Sequence, residues 1–330
     1  MRIWKWICPV MLVLLPLLGV GGSSSQALAS APAAKYIGAD AYSNPTWAQA
    51  GTPGSQYYLG SLQSQKLFYK NGLPNSDADQ TSNGVAGCGA KNGSTYVYPS
   101  STLCIIVYNA VTSGNDANLT AFLQSTLSDP HHVILAFCNE AENGSNDNGC
   151  MCFIGTETSC STAGHFLSQF ETESNEVTAF ESRHGASNVQ FAQVSWASHY
   201  ASGTGGCNFI VPPQYISFYL VDIYEGRNGI PITQPESLGQ DTAWTNWVSC
   251  TSAPGVARGI AEFAINCGEE HPNEQAVATS YTEDDSYLKA NFPNLKVWNL
   301  WDSGGCAIDN DPATGEPHAV QAWRNIEAGN

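Results

Sequence analysis

The chain has 330 residues, of which 12% are charged and 11% aromatic, and its formal net charge is −17. Such an acidic surface repels nucleic acid and anionic lipid, so we expect neither as a partner. Beyond the N-terminal segment no stretch is long and apolar enough for a membrane-spanning helix.

The N-terminus has the layout of a secretory signal peptide at residues 1–29. Arg2 and Lys5 precede an apolar stretch at residues 10–20, and Ala-Leu-Ala at residues 27–29 offers a cleavage site. Removing the two positive charges takes the formal net charge from −17 to −19 and leaves residues 30–330 as one predicted domain. Ten of the 11 cysteines follow the signal, so we expect disulfides in an oxidising compartment and no bound metal.

Eight short apolar or β-branched runs, each bounded by turn residues, predict eight β-strands. In chain order they are residues 35–42, 66–70, 103–109, 132–140, 189–196, 217–224, 259–266 and 295–301.

Segments with helical spacing stand between several of these strands. Asn115 and Asp116 open one with an apolar face, Thr162 precedes a second, and Pro272 begins a third that runs to Asn291. The apolar face of the first consists of Leu119, Phe122, Leu123 and Leu127. Alternating strands and helices favour parallel pairing, and eight such units favour a single (β/α)8 TIM barrel. An open, doubly wound sheet is the alternative, but no Gly-x-Gly-x-x-Gly motif follows the first strand.

Functional side chains of such a barrel gather at the C-terminal ends of its strands. Those ends are rich in acids, amides and aromatics: Asp40, Tyr42, Tyr69, Lys70, Asn109, Asn139, Glu140, Trp196, His199, Asp222, Tyr224, Glu262, Trp298 and Trp301. Aromatic rings stack on sugar faces, and amides and acids hydrogen-bond to hydroxyls. Glu140 and Glu262 each end a buried strand, a costly place for a carboxylate, which indicates acid–base or nucleophilic chemistry.

These two strand ends resemble clan A of the retaining glycoside hydrolases, in which Asn-Glu or His-Glu ends the fourth strand and a second glutamate ends the seventh. Asn-Glu-Ala-Glu-Asn at residues 139–143 is similar to the His-Glu-Pro-Glu-Asn pattern of proteins related to glycoside hydrolase family 26. Ile-Ala-Glu-Phe at residues 260–263 is similar to their Ile-Ala-Glu-Phe-Gly nucleophile strand. Asn139 replaces a histidine and Ala264 a glycine, and these departures favour the wider clan over a β-mannanase specificity.

The resemblance implies a role for each position. Glu140 would be the acid and then the base, Glu262 would be the nucleophile, and Asn139 would bind the hydroxyl next to the reacting carbon. Tyr224 would hold Glu262, and Trp298 or Trp301 would form the floor of a sugar subsite. The implied protein is a secreted, extracellular, monomeric endo-acting hydrolase of a β-linked polysaccharide (mannan, glucan or xylan) that needs no cofactor.

Several alternatives stay open at this point. Glu142 is the alternative acid, Asp222 is expected in a salt bridge or hydrogen bond inside the barrel, and Trp196 is core or platform. His199 is a weaker candidate for substrate contact. Another possible function is a non-catalytic carbohydrate-binding barrel, in which the two glutamates lie too far apart or are held in salt bridges. An esterase lacks support because no Gly-x-Ser-x-Gly elbow is present.

Cysteine and histidine positions give three further predictions. Cys150, Cys152 and Cys160 predict a disulfide-rich loop inserted after the fourth strand. Strict alternation places Cys138 on the face of Glu140, as a buried thiol inside the barrel. His131, together with His132, precedes the fourth strand and is predicted to lie on the surface.

Overall fold

Eight parallel strands form a closed barrel in the computed structural model. The structure describes residues 36–40, 63–69, 72–78, 86–109, 117–143, 162–185, 188–225, 238–265, 274–301 and 317–328. The barrel strands are β1 (Tyr36–Asp40), β2 (Ser64–Tyr69), β3 (Leu103–Tyr108), β4 (His132–Asn139), β5 (Val189–Trp196), β6 (Phe218–Glu225), β7 (Ala257–Ile265) and β8 (Val297–Trp301). Each pairs with its neighbours in sequence, and β8 pairs with β1. All eight predicted strands are confirmed.

Five α-helices fall within the described residues and cover the barrel. They are α1 (Ala117–Thr126), α2 (Ala163–His184), α3 (Thr242–Cys250), α4 (Glu274–Asn291) and α5 (Pro317–Ala328). The Thr162 side chain caps α2 by accepting a hydrogen bond from the His165 N–H, as the sequence predicts for a helix start. In α1, Leu119, Phe122 and Leu123 are buried, but Leu127 lies past the helix end and is exposed, so its predicted place in the core is wrong.

Alternating side chains along each strand separate an inner and an outer apolar layer. The inner layer lies within the barrel and includes Leu103, Ile105, Ile134, Ala192 and Leu220. The outer layer lies between strands and helices and is larger and more aromatic. Near the C-terminal ends of the strands, polar side chains take over the inner positions.

Two strands break this alternation. In β4 the partners step from Ala136–Ala192 to Asn139–Val194, and in β7 they step from Ile260–Val221 to Glu262–Asp222. Each strand therefore carries one extra residue, which is a β-bulge. A bulge moves the side chains beyond it to the opposite face, so Asn139 and Glu262 face inward instead of toward the helices.

At the N-terminal end of the barrel, a small hairpin (Lys91–Asn92 with Thr95–Tyr96) precedes β3, and the Cys88–Cys104 disulfide links this region to that strand. A second disulfide joins Cys207 to Cys250 on α3. None of the helices in the described ranges is long and apolar enough to cross a membrane. The predicted signal peptide and the Cys150, Cys152 and Cys160 loop lie outside the described residues.

Candidate active site

Glu262 lies at the bulge of β7 and has both carboxylate oxygens engaged. Its Oε1 is 2.5 Å from the Lys66 ammonium, and its Oε2 accepts a hydrogen bond from the Tyr224 hydroxyl. The side chain is buried, and Asp222 stands opposite it on β6. The predicted hydrogen bond from Tyr224 to Glu262 is therefore present.

Lys66 contacts the acidic and amide side chains at the C-terminal end of the barrel. Its ammonium donates to both oxygens of Asp222 at 3.0 Å, to Glu262 Oε1, and to Asn139 Oδ1 at 3.2 Å. It also lies 4.7 Å from the centre of the Phe68 ring. Burial raises the pKa of Asp222, and the adjacent ammonium opposes that rise. The predicted salt bridge of Asp222 is confirmed.

Sequence reasoning missed Lys66. It took the lysine as the edge of a strand, whereas β2 begins at Ser64 and places Lys66 in its middle. A signal was present, because alternation puts Ser64, Lys66 and Phe68 on one face, and a lysine in a barrel interior requires carboxylate partners.

The end of β4 has an unusual backbone. Cys138 has φ of 63° and Glu140 has φ of 50°, the left-handed region that non-glycine residues avoid. The bulge turns Cys138 outward into the layer under the helices, and its sulfur is in a disulfide bond. The prediction of a free thiol inside the barrel is therefore wrong. Strained backbone of this kind gathers at functional sites.

Two glutamates, Glu140 and Glu142, follow directly after the end of β4. The Glu140 N–H donates to the Val194 carbonyl at 3.1 Å, and its side chain is buried. Glu142 lies in the short 3-10 turn Ala141–Asn143, and its Oε1 accepts a hydrogen bond from the Trp196 N–H. Burial, with the nearby charges of Glu140 and Asp222, raises the pKa of Glu142 to about 8, which favours the neutral form of this carboxyl at pH 7.

The two candidate tryptophans on β8 have different places. Trp301 is half-buried, and its ring makes T-shaped contacts with Tyr224 and Phe68 at centroid distances of 6.4 Å. Trp298 has no exposed surface and packs in the outer layer against Phe263 and Trp323. Trp298 cannot stack on a sugar, so its prediction as a platform is wrong, and Trp301 is the remaining candidate.

The other predicted site residues are spread around the same rim. Trp196 ends β5 and is half-buried. His199, in the 3-10 turn Ala197–Tyr200, places its ring against the edges of Tyr200 and Phe209 rather than against the carboxylates, and burial lowers its pKa. Asp40 ends β1 beside Trp301, with its backbone alone described, and Tyr42 lies outside the described residues.

The structure thus brings together Lys66, Asn139, Asp222, Tyr224 and Glu262 in one hydrogen-bonded group, with Glu140 next in sequence to Asn139. Within the described ranges no three His, Cys, Asp or Glu side chains are arranged to hold a metal ion. Chemically, the group offers the Glu262 carboxylate with both oxygens in hydrogen bonds, and the Lys66 ammonium shared between Glu262 and Asp222. A further buried carboxyl, that of Glu140, follows directly after β4, three strands away from β7 around the barrel.

Comparison with known proteins gives a likeness of fold. No family model and no curated protein sequence matches the chain. Among solved structures, the family 26 endo-β-1,4-mannanase of Cellulomonas fimi matches with a TM-score of 0.54 and 11% identity, over 89% of this chain and 70% of that one. A β-mannanase from a symbiotic protist of the termite Reticulitermes speratus matches with a TM-score of 0.50 and 11% identity, over 89% and 86%.

An oligosaccharide-binding protein of family 128 from Trichoderma gamsii has a TM-score of 0.49 and 10% identity, over 91% of this chain and 98% of that one. At these identities the mannanase likenesses show a shared fold, and the (β/α)8 barrel predicted from the eight strand-like runs is confirmed.

Proposed function

We propose that this protein is a secreted retaining glycoside hydrolase that cleaves a β-linked neutral polysaccharide, with Glu262 as nucleophile and Glu140 as acid and base. The observation that carries the proposal is the environment of Glu262. A buried carboxylate is held by the Tyr224 hydroxyl and the Lys66 ammonium at the C-terminal end of β7, and Lys66 also binds Asn139, the neighbour of Glu140.

In the first step, Glu262 would attack the anomeric carbon while Glu140 gives its proton to the departing glycosidic oxygen. In the second, Glu140 would take a proton from water as that water displaces Glu262. The outcome is hydrolysis with the anomeric configuration retained. Asn139 would bind the hydroxyl beside the reacting carbon, and Trp301 would stack on a sugar ring.

The charges of the site support this chemistry. Lys66 contributes one positive charge against the two negative charges of Asp222 and Glu262 when both are ionised. The ammonium favours the ionised form of a nucleophilic carboxylate. Asp222 offsets that ammonium, so the group keeps a net negative charge beside a transition state with oxocarbenium character.

The same ion pair favours a second candidate, a carbohydrate-binding barrel without catalysis. Both oxygens of Glu262 have hydrogen-bond partners, and a cation next to a carboxylate weakens it as a nucleophile. Each carboxylate oxygen still has a second lone pair, however, so the contacts with Lys66 and Tyr224 leave Glu262 able to attack.

Incubation of the mature protein with a panel of glycans tests both candidates. The panel contains β-1,4-mannan, β-glucans, xylan and chitin, with mannan first because the Cellulomonas fimi and protist structures are mannanases. New reducing ends are measured for the wild type, Glu140→Gln and Glu262→Gln. We expect each variant to lose about 10³-fold or more in turnover, because each lacks a group that reacts.

Glu173→Gln is the matched control. Glu173 is as buried as Glu262, but it lies on α2 and accepts hydrogen bonds from Tyr108 and Gln169 at 2.8 Å. We expect this variant to keep wild-type turnover. A wild-type protein that binds one glycan but releases no reducing ends from any of them would establish the binding barrel instead.

Azide distinguishes the two glutamates. With a 2,4-dinitrophenyl β-glycoside of the preferred sugar, Glu262→Ala should give a glycosyl azide of inverted configuration, since azide takes the place of the nucleophile. Glu140→Ala should give the retained product, since azide then attacks the covalent intermediate. Inverted azide product from an Asp222 or Glu142 variant would identify a different nucleophile.

A further inference from the structure

Glu142 has an unusual place in the ladder between β4 and β5. Strand β4 ends at Asn139, whereas β5 continues to Trp196, so the last N–H groups of β5 need acceptors that β4 no longer supplies as a regular strand. The Trp196 N–H finds its acceptor in the Glu142 carboxyl. A side chain therefore adds one rung to the ladder beyond the end of the strand.

Glu140 lies between this side-chain hydrogen bond and the last backbone hydrogen bond that joins the chain after β4 to β5. On one side the Glu140 N–H donates to the Val194 carbonyl at 3.1 Å, and on the other Glu142 holds the Trp196 N–H. Between these two bonds the Glu140 backbone has a left-handed φ of 50°. A non-glycine residue keeps that conformation where its surroundings impose it.

The Glu142 carboxyl lacks what an ionised group in this position would need. It is 96% buried, and its Oε2 has no hydrogen-bond partner among the described residues. The charged and titratable groups that face it are Glu140, Asp222 and the Tyr200 hydroxyl, and none of these carries a positive charge. The ammonium of Lys66 is engaged by Asp222, Glu262 and Asn139. A neutral carboxyl, with its proton on Oε2 and Oε1 accepting from Trp196, meets these constraints.

We propose that Glu142 is a positioning residue for the acid–base glutamate: its carboxyl, bonded to the Trp196 N–H, fixes the left-handed turn that aims Glu140. The proposal rests on the proposed function, since it concerns the residue that would protonate the leaving group. It differs from a catalytic role for Glu142, which would give or take a proton itself.

A pair of variants separates these roles. Glu142→Gln keeps the size, the neutral charge and a carbonyl oxygen that can accept from Trp196. Glu142→Met keeps the size and loses the acceptor. We expect Glu142→Gln to retain turnover within about threefold of wild type, and Glu142→Met to lose on the order of 10²-fold, because a small misplacement of an acid slows proton transfer.

The leaving group gives the sharper readout. The dinitrophenolate group of a 2,4-dinitrophenyl β-glycoside leaves without being protonated. The methoxy group of a methyl β-glycoside of the same sugar must receive a proton to leave as methanol. β-Mannobiosides are used first and β-cellobiosides second. If Glu142 positions the acid, Glu142→Met loses about 10²-fold in glycosylation on the methyl glycoside and about threefold or less on the dinitrophenyl glycoside. Equal losses on both substrates would overturn the proposal, because they would mean a general disturbance of the site.

Other outcomes are also decisive. A Glu142→Gln variant as impaired as Glu140→Gln on the methyl glycoside would overturn the positioning role and make Glu142 the acid. Silence of the wild type on every glycan and aryl glycoside would instead remove the proposed function and this role with it. Circular dichroism checks the folding of each variant. If Glu142→Met does not fold, Glu142→Leu replaces it. Hydrogen exchange at the Trp196 amide reports the bond to Glu142 directly, and we expect this exchange to be slow in the wild type and in Glu142→Gln.

Discussion

The two ends of the barrel each bury one cation with two carboxylates, yet they differ in what surrounds the charges. At the C-terminal end are Lys66, Asp222 and Glu262, which we call the upper cluster. At the N-terminal end are Asp77, Asp129 and His131, which we call the lower cluster. Charge content alone does not distinguish a candidate active site from a structural contact in this protein.

In the lower cluster, both ring nitrogens of His131 have hydrogen-bond partners within the protein. His131 Nδ1 is 2.5 Å from Asp129 Oδ1, and its Nε2 is 3.2 Å from the Tyr98 carbonyl. Two acceptors require both nitrogens to donate, so the ring is an imidazolium. Although burial opposes that charge, Asp129 raises the pKa of His131. The prediction of His131 on the surface is wrong because this ion pair holds it inside.

The upper cluster lies on irregular backbone at the C-terminal end of the barrel. It is built on the bulge of β7 and next to that of β4, and Cys138 and Glu140 are the two non-glycine residues with positive φ among those that the structure describes. The half-buried ring of Trp301 stands beside Tyr224. The comparison teaches that bulged strands and a half-buried aromatic ring, rather than buried charge, mark the end where chemistry is expected.

The largest effect is expected from Lys66→Met in the upper cluster. The variant leaves Asp222 and Glu262 as two buried carboxyls without their cation, which costs about 3–5 kcal/mol in the free energy of unfolding at pH 7. Removing the ammonium raises the pKa of Asp222 further above its usual value. A group with a raised folded-state pKa stabilises below its unfolded value and loses that stability as pH rises, so the deficit should shrink toward pH 4.

Urea unfolding at pH 4 and pH 7 measures this difference. The acid limb of the pH profile of kcat/KM should also move to higher pH by about one unit or more, because two neighbouring carboxyls without a cation hold a shared proton up to a higher pH. The control is Lys289→Met, which removes an ion pair on the surface of α4 (2.8 Å, with the lysine 44% exposed). It should change stability by about 0.5 kcal/mol or less. Equal deficits in the two variants would contradict the upper cluster as a buried ion network.

A smaller effect is expected from Asp77→Asn in the lower cluster. Burial, with the hydrogen bond and charge of Asp129, raises the pKa of Asp77 to about 7. Protonated Asp77 therefore contributes stability that is present below about pH 3.8 and lost as pH rises toward 7. Asparagine cannot ionise and can donate to Asp129 as the acid does. We expect the variant to gain about 2 kcal/mol on wild type between pH 4 and 7.5, after allowance for solvent screening.

Urea unfolding at the two pH values measures that gain, and turnover should stay at the wild-type level because the lower cluster lies at the opposite end of the barrel. Glu283→Gln, which removes an exposed carboxylate from α4, is the control. Because the charge of Glu283 contributes to the raised pKa of Asp284 only after burial, this variant should show a smaller gain than Asp77→Asn. A gain that is the same at pH 4 and 7.5 would mean that Asp77 is ionised throughout this range.

The sequence predicted the regular parts of this fold well. Short apolar or β-branched runs bounded by turn residues located all eight strands, and helical spacing with capping residues located α1, α2 and α4 within a few residues. These elements are predictable because burial of an apolar face decides them locally. Glu262 and Tyr224 were placed correctly because they sit at the ends of such strands.

The rest of the site was not predictable from alternation. Each bulge adds one residue and reverses the face of everything after it, so Cys138 was placed inside and Asn139 could be placed by resemblance but not by period. Lys66 depends on Asp222 and Glu262, which are 156 and 196 residues away in sequence. Such a partnership forms when the barrel closes, and no local pattern records it. The choice between Trp298 and Trp301 likewise needed the β7–β8 register.

The smallest effect separates the aromatic residues at the two ends. Trp301→Leu keeps an apolar contact with Tyr224 and Phe68 but loses the flat ring, and should weaken sugar binding by about 0.5–1.5 kcal/mol, or about two- to tenfold in KM. Its unfolding free energy should change by about 0.5 kcal/mol. Tyr98→Phe in the closed lower end removes the hydrogen bond from its hydroxyl to the Ala86 carbonyl (3.1 Å). It should leave KM unchanged and cost about 1 kcal/mol in stability. An unchanged KM in Trp301→Leu would mean that substrate does not stack there, and the half-buried ring would no longer distinguish the upper end from the lower.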